Sequence, residues 1–140
     1  MFRILFVLLF TLSYLFSADV AIVKNISGDV FAKKQDQMQK LSVGQKIQEH
    51  DVIITKDNSS IGMIFEDGTI ISLGKNSILS IDKYLFRPSQ DEFLFDVNMK
   101  KGLATYESGK LGKLSPESVK FRIPEGVIGI RGTKFYVEVK

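Results

Sequence analysis

From residue 19 onward, apolar and polar residues alternate over short stretches that are broken repeatedly by Gly, Asn, Asp or Ser, and no 3.6-residue apolar period is sustained. Alternation at period two sends one set of side chains to a core and the other to water, the pattern of half-buried strands. It predicts an all-β fold of short strands and hairpins, built either as an irregular β-solenoid or folded over as a sandwich. Residues 20–24 and 29–33 read as strands around a bend at Ser27 and Gly28, and the polar residues 34–40 read as a loop. Leu41, Val43, Gly44 and Ile47 lead to a strand over 51–55, whose centre is apolar enough to be buried on both faces.

The clearest unit is a hairpin. Ile61, Met63 and Phe65 alternate with Gly62, Ile64 and Glu66, Asp67 and Gly68 make the turn, and residues 69–73 return. An Asp-Gly pair between two apolar runs is the strongest short-range hairpin signal. A second turn at 74–77 feeds a strand over 78–82. Residues 87–91 read as a polar loop, after which Phe93, Phe95, Val97 and Met99 alternate with polar neighbours, and Gly102 turns the chain into a further strand over 103–106. Residues 107–117, ESGKLGKLSPE, show no period and are expected to form a mobile loop. Val119, Phe121 and Ile123 then face a core, and Pro124 ends that ladder. In the last strand Phe135, Val137 and Val139 point inward, with Tyr136 and Glu138 outward. Between these two strands, Gly126, Gly129 and Gly132 recur every third residue. The expected reason is tight backbone passage, so that valine at Gly129 or Gly132 would unfold the domain.

Residues 1–18 carry one cation, Arg3, then an uncharged run from 4 to 16 and small Ser17 and Ala18. That is the layout of a secretory signal peptide, with an uncleaved N-terminal anchor as the alternative because bulky Phe16 stands three positions before the cut after Ala18. Residues 19–140 are then one domain, large enough to bury its own core. Losing the leader leaves 18 Lys and Arg against 16 Asp and Glu. The cations are dispersed, not gathered in the stripe that nucleic-acid recognition needs. The chain has no cysteine, which removes disulfides, thiolate chemistry, cysteine metal sites and a lipoprotein anchor.

The search for chemistry yields no catalytic constellation. The lone His50 stands between Glu49 and Asp51, but neighbours on a strand point to opposite faces, so the reading is a turn-exposed histidine and not a metal or relay site. The GKNS of residues 74–77 has Thr69 where a phosphate loop needs its first glycine. The acidic pairs Glu66, Asp67 and Asp91, Glu92 fit turn and surface roles, and the DNSS of residues 57–60 lacks the alternating acids of a calcium loop. Catalytic, cofactor and metal sites are therefore expected to be absent. Arg131, between Ile130 and Gly132, is the one candidate for anion or partner contact through its paired donors; the alternative is an ion pair with Asp51 or Asp67. Thr133 reads as a turn hydroxyl.

Taken in order, GDV at 28–30, LSVGQKIQEHDVIIT at 41–55, FEDGTIISLGKNSILSI at 65–81, KGLATYESGKL at 101–111 and IPEGVIGIRGTKFYVEV at 123–139 resemble the FecR domain. Its most specific positions here are Gly44, Asp51, Thr55, Asp67, Gly68, Gly129, Gly132, Thr133 and Phe135. The resemblance implies an all-β periplasmic module that signals by protein contact. The family's namesake plan adds a cytoplasmic anti-sigma segment and a true membrane span, which are not read here, so the anti-sigma role is not expected to carry over.

The function expected is that of an exported, non-enzymatic regulatory module in the periplasm, or secreted, that touches an envelope or inner-membrane sensor. It would meet a membrane only through an uncleaved leader. The alternative is a small-ligand or cell-wall polysaccharide binder in which Tyr84, Tyr106 and Tyr136 stack on sugar rings.

Overall fold

The computed structural model describes residues 18–130 and 134–140. The strands are β1 (Asp19–Ser27), β2 (Val30–Lys34), β3 (Gln37–Lys40), β4 (Lys46–Gln48), β5 (Val52–Thr55), β6 (Ser60–Phe65), β7 (Ile70–Leu73), β8 (Ile78–Arg87), β9 (Glu92–Glu107), β10 (Val119–Ile123), β11 (Gly126–Ile128) and β12 (Lys134–Val139). One short helix, α1 (Lys110–Leu114), follows β9. The all-β reading holds. Among the described residues every strand pairing is antiparallel except that of β10 with β9, so the sheet curls over a core instead of stacking parallel rungs.

The curl depends on β9. Its first part pairs with β8 and β10 in a half-sheet ordered β3-β2-β5-β8-β9-β10-β11. Its last part pairs with β7 and β12 in a half-sheet ordered β4-β1-β6-β7-β9-β12. Gly102 sits where the strand passes from one to the other, at φ +106°. A Cβ there would lie 2.1 Å from Ser77 Oγ and 2.4 Å from Ser77 Cα, so neither the dihedral nor the space admits a side chain. The turn expected at Gly102 is thus a bend within one 16-residue strand.

Inward rows from both halves interdigitate. Phe65 from β6 meets Phe95 from β9 at 4.9 Å between ring centroids, and Tyr84 from β8 meets Phe95 edge-on at 5.2 Å. Tyr106 stacks on Phe135 at 5.0 Å, and Phe135 meets Phe121 edge-on at 5.4 Å. Such pairs add about 0.5–1.5 kcal/mol each beyond the area they bury.

Three segments differ from expectation. Residues 34–40 form the β2–β3 hairpin, turning at Gln35 with φ +55°; every residue of β3 is exposed, so no apolar alternation marks it. Residues 84–87 extend β8, which pairs with β9 as far as Arg87 and Glu92. Residues 107–117 contain α1 and a 3-10 turn, with Ser108, Leu111 and Ser115 buried.

Candidate functional site

Asp67 is buried at a hairpin tip. Its Oδ1 accepts from Tyr84 Oη at 2.7 Å, and its Oδ2 accepts from Thr69 Oγ1 at 2.6 Å and from the Leu111 N–H at 3.0 Å. The Asp67 carbonyl accepts from the Lys110 N–H at 2.9 Å, and the Gly109 N–H donates to Thr69 Oγ1 at 3.2 Å. The carboxylate is therefore the anchor of α1, and its donors satisfy it without an external ligand. Burial, and then the hydrogen bond to Asp67, push the Tyr84 phenol far above its usual range. Burial likewise raises Tyr106.

The other motif positions also have structural roles. Asp51 is buried, and its Oδ2 accepts from Lys34 Nζ at 2.6 Å and from the Gln48 N–H at 2.9 Å. Thr55 Oγ1 donates to the Gly74 carbonyl at 2.6 Å and accepts from the Ser77 N–H at 2.8 Å, tying β5 to the turn before β8. Gly44 and Gly68 hold turns at φ +86° and +90°. Phe135 lies half-buried between Tyr106 and Phe121. Gly129 corrects the tight-passage reading: it is exposed, and among the described residues no atom lies within 4 Å of where its Cβ would be. Arg131, Gly132 and Thr133 lie outside the described residues.

His50 is exposed in a turn at φ +75°. Among the described residues no cluster of three or more His, Cys, Asp or Glu is placed to hold a metal ion. Likewise no helix among them is long and apolar enough to cross a membrane. The sugar-stacking reading loses two of its three rings, because Tyr84 and Tyr106 are in the core and only Tyr136, at 74% exposure, faces solvent.

What remains is the outer face of the half-sheet that ends at β12. Cross-strand register aligns Gly62, Ser72, Thr105 and Tyr136 in one row. The small side chains leave a shallow apolar groove beside Leu103 and Tyr136, with Gly74 and Glu138 at its margins. Leu103 is 40% exposed and packs over Gly74, where a Cβ would come within 3.1 Å of its own Cβ. Beyond that row, Ile22, Ile64 and Ile70 form a neighbouring aliphatic row on the same face. The legible signal was the outward phase of Tyr136, and only the register brings Leu103 into the same groove.

Comparison with curated proteins and with solved structures gives no match. Residues 51–140 match the family described as FecR protein. The match opens at Asp51 and takes in the Asp67 anchor, the Gly102 bend and β12, while Gly44 and the 28–30 and 41–50 segments precede it. By that match, over more than half its length, the chain belongs to the FecR protein family.

Proposed function

We propose that the chain is an exported regulatory module that works by touching an envelope sensor or receptor. The observation that carries this reading is membership of a signalling and regulatory family. The geometry is consistent with contact: the conspicuous polar positions are consumed by turns and anchors, and the exposed apolar groove at Leu103 and Tyr136 offers a docking face. Exposed apolar surface grouped this way marks interaction sites. Residues 1–18 act as the export signal, leaving the domain in the periplasm or outside the cell, or anchored where the leader is retained. The module performs no catalysis and needs no cofactor.

The test is site-specific photocrosslinking in the native cell, with the reactive residue at position 103 or 136, and at 94 on the outer face of the other half-sheet. Adducts to a membrane sensor or receptor at 103 and 136, absent at 94 and abolished by Leu103→Asp, are expected. Equal labelling at all three positions would remove the docking face. Heat on titration with cell-wall fragments, lost in Tyr136→Ala, would instead favour polysaccharide binding.

A further inference from the structure

Among the described residues four strands end the half-sheets: β3, β4, β11 and β12. Exposed edges template pairing with other chains, and proteins blunt them by shortening or charging them. β4 and β11 are three residues each, and β3 is four fully exposed residues. β12 is different, with six residues, KFYVEV, that among the described residues pair only with β9.

The direction of its free backbone groups follows from β9. The Leu103 N–H donates to Ser77 Oγ at 3.0 Å and the Leu103 carbonyl accepts from the Gly74 N–H at 2.9 Å, so Leu103 is engaged on the side away from β12. Leu103 stands opposite Glu138, and the β12–β9 register runs without a shift. By the alternation of an antiparallel ladder, Phe135, Val137 and Val139 bond to β9, while the N–H and C=O of Lys134, Tyr136 and Glu138 point to the open edge.

We propose that this edge pairs with the β12 of a second copy, antiparallel, about a two-fold axis at Tyr136. In that register each Lys134 faces the other copy's Glu138, each Tyr136 faces its own counterpart, and all three residues exchange both backbone hydrogen bonds. The charges are self-complementary in this register, and opposite charges directly across a ladder stabilise it. On the inward side Phe135 faces Val137, both half-buried where the half-sheet stops, so the pairing completes their cover. The result joins the two outer grooves into one continuous face.

The experiment uses the full chain as processed by the expressing cell, with analytical ultracentrifugation across a concentration series. The wild type is expected to dimerise. Lys134→Glu and Glu138→Lys should each weaken self-association about tenfold or more, as two attractive pairs become repulsive. Mixing the two single variants restores a heterodimer, and the double variant K134E/E138K restores the homodimer. Because the chain has no cysteine, Tyr136→Cys should also crosslink to itself on mild oxidation, whereas Leu94→Cys should not. A wild type that stays monomeric, or single variants that dimerise as it does, would overturn the proposal. A monomer that still crosslinks to a sensor would do so while leaving the proposed function standing.

Discussion

At the scale of single residues, the glycines separate by what surrounds them. Gly102 combines a left-handed φ of +106° with backbone 2.4 Å from where its Cβ would be, and Gly129 has no described atom within 4 Å of its Cβ position. Gly102→Ala is therefore expected to cost about 3 kcal/mol or more, and Gly129→Ala less than about 0.5 kcal/mol, read from urea midpoints. Equal losses would show that the bend tolerates a side chain. Tyr84 gives a second test. Tyr84→Phe deprives Asp67 Oδ1 of a donor and the Asp67 N–H of its acceptor at 3.0 Å, at a cost of about 1–3 kcal/mol near neutral pH. The folded-state pKa of Tyr84 is raised, so its stabilisation is complete below the unfolded value of about 10 and is lost as pH climbs through and beyond it. Stability of the wild type should thus fall above about pH 10, and the Tyr84→Phe variant should fall less steeply there. Parallel slopes would mean that this phenol ionises as readily in the folded protein as in the unfolded chain.

At the scale of elements, α1 shows why local sequence misleads. It is five residues long with three of its neighbours being Gly or Ser, and no isolated helix of that length is stable. It forms because Asp67, more than forty positions earlier, caps it through Leu111 and Lys110. Asp67→Ala should cost about 2–3 kcal/mol and, in hydrogen exchange, remove protection from residues 109–115 while the β6–β7 ladder keeps its own. Unchanged protection there would show that Leu111 burial alone holds the segment. The same contrast divides what was legible. The β6–β7 hairpin and the inward rows of β10 and β12 could be read because period-two alternation and Asp-Gly chemistry are local. The β3 edge, with no buried residue, left no alternation to read, and the single bent β9 could not be told from two strands by pattern. The motif residues were harder: Asp51, Thr55 and Asp67 stood out as polar positions, but their partners Lys34, Ser77 and Leu111 are set by register, which no local pattern encodes.

At the scale of the whole molecule, two half-sheets share one strand and one core, which bears on how the domain unfolds. Phe65 belongs to one half and packs on Tyr84 and Phe95 of the other, while Phe121 and Phe135 meet across the same divide. Separating the halves would expose both sides of this aromatic cluster and cut β9 at the Gly102 bend, so neither half retains a core of its own. Unfolding should then be a single two-state transition, as is usual for domains of this size. The chain has no tryptophan, so Ile22→Trp and Leu94→Trp place reporters at exposed positions on the outer faces of the two halves. Their urea transitions are expected to coincide with each other and with the far-ultraviolet circular dichroism. If the Ile22→Trp reporter melts at a lower urea concentration than the Leu94→Trp reporter, the β4-β1-β6-β7 half opens on its own. The groove beside Leu103 would then lie on the more labile half, and partner binding there would raise the first midpoint without moving the second.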